Sequence, residues 1–98
     1  MTNAPRSSDG AEVICFVELD ETTPPTGNCT HSVNGAEFPP VSFAGLIVAQ
    51  YAGEKSFFLF YCDDGWNVIT DTWHQTLEDA ISQANFEFEN LSNRWATP

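Results

Sequence analysis

The stretch from Ser56 to Phe88, SFFLFYCDDGWNVITDTWHQTLEDAISQANFEF, decides the fold. Residues 56–62 are rich in aromatics and read as a strand. By period-2 alternation Phe57, Leu59 and Tyr61 point one way, and Phe58, Phe60 and Cys62 the other. A strand apolar on both faces wants cover on both. Asp63-Asp64-Gly65 is a hairpin signal, with Gly65 able to supply the positive φ that such turns need. Residues 66–73, WNVITDTW, return as the next strand. Thr76 is a good N-cap, and Glu78 and Asp79 suit the positive end of a helix dipole. Leu77, Ala80, Ile81, Ala84, Phe88, Leu91 and Trp95 recur every three or four residues, which predicts one amphipathic helix over about 77–95. Arg94 suits its negative pole. Phe86 lies opposite the stripe, amid Asp79, Gln83, Glu89 and Asn90.

Outward from this block, residues 41–51 predict a strand with Gly45 as a bulge or close-approach point, and Ala52–Lys55 a hairpin loop. Residues 12–19, EVICFVEL, predict a further strand. Strict alternation puts Val13, Cys15, Val17 and Leu19 on one face, Ile14 and Phe16 on the other. Residues 20–40 are broken by Pro24, Pro25, Gly27, Gly35, Pro39 and Pro40 into a long irregular segment. Within it, Asn34-Gly35 signals a type I′ turn, folding Ser32–Val33 against Ala36–Phe38. Residues 1–10 are polar and read as a flexible tail, leaving 11–98 as one domain. The reading is an α+β fold: an antiparallel meander of four to five strands with one C-terminal helix on one face. The alternative is a small, partly closed barrel of SH3 or Sm type, in which the sheet curls to cover both faces.

The segment YCDDGWNVITDTWHQTLEDAISQANFEF, residues 61–88, resembles the C-terminal part of small uncharacterised bacterial proteins that end in a hairpin and an acidic helix. The resemblance covers under a third of the chain. It implies a bacterial origin and the hairpin–helix arrangement, and carries no activity, cofactor or partner.

With 98 residues there is room for one core. Fourteen carboxylates face only Arg6, Lys55 and Arg94, for a formal charge of −11. That balance disfavours nucleic acid phosphates and anionic membrane surfaces, which are bound through clustered Lys and Arg. It favours a basic protein partner, whose approach it would steer. No apolar run reaches the length of a membrane helix, and the N-terminus lacks the apolar region of a secretory signal. Cys15, Cys29 and Cys62 are odd in number and irregularly spaced, so free thiols in a cytoplasmic setting are expected.

Four constellations bear on chemistry. Asp63, Asp64, Asp71 and His74 could in principle bind a cation or move a proton, but the turn and His74 lie at opposite ends of a strand, roughly 25 Å apart. Cys29 and His31 supply two ligands where a structural zinc needs four, with Cys62 and His74 reachable only by folding the loop across the sheet. Cys62 with His74 as base would be a nucleophile, yet Cys62 ends an apolar strand and reads as a buried thiol. Phosphate-cradling and hydrolase motifs are absent from the sequence. The fourth is apolar surface. One helix covers one face of the sheet, so Phe57, Leu59, Tyr61, Phe86 and Glu89 are candidate partner contacts, and a homodimer could bury the open face. Alternatively, residues 20–40 fold over that face and supply Val33, Phe38 and Val41. The expected function is that of a non-enzymatic acidic protein-binding module, with no catalytic, cofactor or metal residue assigned. The alternative is a small metal-dependent or hydrolytic enzyme using Asp71 and His74.

Overall fold

The computed structural model describes residues 3–98, the side chain of Phe38 excepted. The elements are β1 (Ser7–Ser8), β2 (Ala11–Glu18), β3 (His31–Val33), β4 (Ala36–Phe38), β5 (Gly45–Gln50), β6 (Phe57–Cys62), β7 (Val68–His74) and α1 (Leu77–Glu87). Five strands form one antiparallel sheet in the order β1-β2-β5-β6-β7, curled into a half-barrel, and β3-β4 form a separate hairpin. The α+β reading therefore holds. Its two versions meet in one molecule, a meander with a C-terminal helix whose sheet is also curled.

The two faces of β6 sort as alternation requires. Leu59 and Tyr61 pack with Val17, Leu46 and Val48 beneath Ala80, Ala84, Phe88 and Leu91. Phe60 and Cys62 pack on the other side with Val13, Phe16, Ile47 and Ala49. That second face is not open: Ala4, Ala11 and Trp66 cover it, and Ile47, Ala49, Phe60 and Cys62 are all buried. The expected homodimer would bury this face, whose central side chains are covered within the chain. On the helix side, the hairpin between residues 20 and 40 adds cover, with His31 stacked 4.3 Å from the Tyr61 ring. Val41 is no part of this cover, being an exposed side chain of the 3-10 turn Pro40–Ser42.

The turns explain the connections. Asn34 and Gly35 both take positive φ between β3 and β4, as a type I′ hairpin demands. In the β6–β7 turn the positive φ falls on Trp66, not on Gly65. Asp63 organises this turn, its carboxylate accepting the backbone N–H groups of Gly65 and Asn67. A bulky residue in the left-handed region is unfavourable on its own. Burial offsets it: the indole lies against Gly45 and meets Phe16 edge-on at 5.4 Å. Gly45 is thus a close-approach point, because a Cβ there would sit 2.4 Å from the indole.

Three expectations are corrected. The helix ends at Glu87 rather than near 95. Its last carbonyls are taken by the irregular segment, Thr26 Oγ1 and Asn28 Nδ2 donating to Phe86 O and the Thr26 N–H to Glu87 O. A helix whose final carbonyls already have partners gains little from another turn. Phe88 becomes extended and bridges to Pro25, while Asn90 and Asn93 adopt positive φ and turn the chain back. The stripe residues Phe88 and Leu91 still reach the core. Secondly, β2 has a register shift between Val13 and Cys15. The extra residue, Ile14, moves Val13 to the Phe16 face and leaves Cys15, Val17 and Leu19 on the helix side. Thirdly, residues 3–10 are not a free tail. Ala4 is buried, and Ser7–Ser8 pairs with β2, as Ala96 does further along the same edge. Residues 1 and 2 of that expected tail lie outside the described residues.

Phe88→Ala should lower stability by about 3–5 kcal/mol, because it empties a buried aromatic site. Glu89→Ala, on the exposed side, should stay within about 0.5 kcal/mol. Gly45→Ala should cost about 1–3 kcal/mol by driving a methyl into the indole. Urea unfolding of the three variants checks this ordering, and a mild Phe88→Ala would contradict the packing described.

Candidate functional site

Glu87 is the last residue of α1 and is 1% exposed. Along the helix it follows Ala80 and Ala84 at core spacing, so its carboxylate is carried inward. A carboxylate out of water needs donors, and three elements provide them. From β3, His31 Nε2 lies 2.6 Å from Oε1. From β6, the Tyr61 hydroxyl donates to Oε2. One turn back on the helix, Gln83 Nε2 donates to Oε2 at 2.9 Å. Among the described residues no buried side-chain polar atom lacks a partner.

Cys29 completes the group, its Sγ 3.9 Å from His31 Nε2. The ligand atoms of Cys29, His31 and Glu87 all lie within 4.8 Å of one another. Burial, and next the Glu87 charge, push the Cys29 thiol above its usual value. Burial and the hydrogen bond to Glu87 likewise raise the Tyr61 phenol. A nucleophile–base–acid relay would need His31 to present one nitrogen to Cys29 and the other to Glu87. Here Nε2 faces both, so the three groups converge on a point instead of forming a relay.

The other sequence candidates are dispersed. Asp71 sits opposite Phe60 and His74 opposite Phe57, so the two project from opposite faces of β7. Cys62 and His74 are separated in the same way, Cys62 lying in the second core with burial pushing its thiol up to about 12. Asp63 is committed to its own turn, where the Asn67 backbone N–H foremost lowers its pKa. Cys29 and His31 do come together, but neither Cys62 nor His74 joins them. Glu87 does, a residue the sequence reading passed over. A signal existed, since a carboxylate at the core spacing Ala80, Ala84, Glu87, Leu91 is out of place unless something binds it.

Of the candidate partner contacts, Leu59 and Tyr61 are fully buried under α1 and Phe57 is half-buried, so the first two are withdrawn from any surface. Phe86 and Glu89 are exposed. Trp73 joins Phe86 as a large exposed aromatic, at 57% and 52%. The two flank a shallow groove lined also by His74, Gln75, Asp79, Ser82 and Gln83. The groove runs beside β7, an outer strand whose sheet partner is β6 alone. His74 within it bonds Thr72 Oγ1 at 2.6 Å, and burial lowers its pKa. No helix among the described residues is long and apolar enough to cross a membrane.

Glu87→Ala would strand the Tyr61 and His31 donors, at about 1–3 kcal/mol for each unsatisfied buried group. Phe86→Ala should cost about 0.5 kcal/mol or less, since its ring is in water. Thermal unfolding of the two neighbours should separate them clearly. Alkylation gives a second check. Burial raises Cys15 to about 11 and Cys62 to about 12, so at pH 8 both are protonated, and Cys62 is fully shielded as well. Mass spectrometry of the folded protein should therefore show Cys29 modified first and Cys15 more slowly, with Cys62 following only in denaturant. Equal labelling of all three would contradict the burial.

No protein-family model, no curated protein and no solved structure matches this chain, so its geometry is what bears on its function.

Proposed function

We propose that this chain is a non-enzymatic acidic protein-binding module, an inhibitor, immunity-like factor or accessory subunit, that docks a basic protein at the groove between β7 and α1. The observation that carries this reading is the pair Trp73 and Phe86, held in water on either side of one groove while Phe60, Tyr61 and Phe88 are drawn into the core. Exposed aromatic anchors in a groove are the residue types that dominate binding energy at protein interfaces. The surroundings supply the charge preference. Asp79 lines the groove, Glu78 precedes it in the first helical turn, and Asp71 is exposed on β7. Three cations against fourteen carboxylates leave the whole chain at −11, a field that speeds the approach of a basic surface and repels an acidic one.

The position of β7 adds a backbone component. The opposite edge of the sheet is occupied, β2 being paired along its outer side by β1 and by Ala96. An outer strand such as β7 can pair its main chain with an extended segment of a partner. Side chains from that segment would then meet Trp73 and Asp71 on one face of β7.

The test uses the full chain as bait in an extract of its native host. The wild type should retain a basic protein that elutes with salt, and its association should slow steeply between low and physiological ionic strength. Trp73→Ala and Phe86→Ala should each abolish or strongly weaken retention without loss of fold. Val41→Ala, exposed elsewhere, should retain it. Capture that survives both groove substitutions, or eluates that hold no basic protein, would overturn the proposal.

A further inference from the structure

We propose that Cys29, His31 and Glu87 form a three-ligand site for a zinc-class divalent cation, with the fourth position open to solvent. This site shares only Gln83 with the docking groove, and its test does not depend on that groove. Three observations carry it. The first is convergence. His31 Nε2 faces Glu87 Oε1 at 2.6 Å and Cys29 Sγ at 3.9 Å, and all three ligand atoms lie within 4.8 Å of one another. A tetrahedral zinc with bonds of ordinary length spaces its nitrogen, sulfur and oxygen ligands roughly 3.4–3.6 Å apart. Opening the His31–Glu87 contact and closing the Cys29–His31 one, each by less than about an ångström, and closing the Cys29–Glu87 separation by about 1.2 Å at most, brings the set to that spacing.

The second observation is the outer layer. Ligating carboxylates are commonly fixed by hydrogen bonds to the oxygen that does not face the metal. Glu87 is divided in this way: Tyr61 and Gln83 both donate to Oε2, leaving Oε1 to the side of His31 and Cys29. The His31 ring itself packs against Tyr61 and Phe43, at centroid distances of 4.3 and 5.3 Å. Two ligand side chains are thus oriented before any ion arrives.

The third is chemistry and access. One thiolate, one imidazole and one carboxylate suit zinc and its borderline neighbours, whereas magnesium and calcium take oxygen ligands throughout. On binding, the Cys29 thiol gives its proton to solvent and neutral His31 coordinates through Nε2. The thiolate and carboxylate then balance the two charges of the ion, which leaves the buried carboxylate neutralised. Glu87 and the His31 side chain are nearly enclosed, but Cys29 is only half-buried and its neighbours Asn28 and Thr30 are exposed or nearly so. The open side of the site is therefore on the loop, where a water or a partner's side chain could complete four-coordination.

Cobalt(II) added to the purified full-length chain tests this directly. The expected result is a thiolate-to-cobalt charge-transfer band that saturates at one ion per chain and is erased by one equivalent of zinc. Cys29→Ser should lose the band and bind zinc about tenfold or more weakly, and Tyr61→Phe, which loosens Glu87 without touching the ion, should weaken it by roughly tenfold. Circular dichroism verifies that each variant is folded. A measurement needing no variant accompanies these: one equivalent of zinc should protect Cys29 of the wild type from alkylation, and chelator should restore labelling. No saturable band, zinc affinity unchanged in folded Cys29→Ser, or Cys29 labelled equally fast with and without zinc would overturn the site.

Discussion

A carboxylate taken out of water has to be met by donors, and at Glu87 three distant parts of the chain do so. His31 comes from the hairpin, Tyr61 from the middle of the sheet and Gln83 from the helix itself. Because a buried carboxylate left without partners is costly, the helix can settle only where all three reach it. The same requirement fixes the irregular segment. Thr26 and Asn28, a few residues before His31, bind the carbonyls of Phe86 and Glu87, so the loop and the helix end lock together side by side. The helix terminus, the loop path and the hairpin position all follow from that junction.

The sheet answers a second constraint. Its central strands are apolar on both faces, yet a chain of 98 residues with one helix has little left to cover the second. The solution is curvature. A bulge at Ile14, an indole turned back from the β6–β7 turn onto Gly45, and small residues such as Ala4 and Ala11 close the second face without another layer. The protein thereby withdraws Phe60 and Tyr61 from water and leaves Trp73 and Phe86 as the exposed large aromatics among the described residues, on a highly acidic surface.

The groove and the converging ligand set lie on opposite sides of one residue. Gln83 lines the groove and donates to the Glu87 carboxylate. A partner that moved Gln83 would alter the surroundings of Glu87, and an ion bound there would hold Gln83 more firmly. The two features use different chemistry, aromatic surface in one case and a soft–borderline donor set in the other.

Local pattern was enough for much of this molecule. The two apolar faces of β6, the Thr76 cap, the Asn34-Gly35 hairpin and the helix stripe through Phe88 and Leu91 are all legible in the sequence. They depend on interactions between residues near in the chain or on simple periodicity. What the sequence by itself determined was therefore an acidic α+β domain with its core residues named. Tertiary structure alone decided the rest. The helix stops at Glu87 because carbonyls find donors 58 and 60 residues away, in Asn28 and Thr26. Val13 changes faces because a bulge intervenes. Trp66 takes the positive φ because its ring has Gly45 to lie on. Cys29 and His31 acquire a third ligand because the segment carrying them folds onto the end of the helix. Each of these outcomes turns on a contact between residues far apart in the chain, and periodicity holds no information about which distant groups will meet.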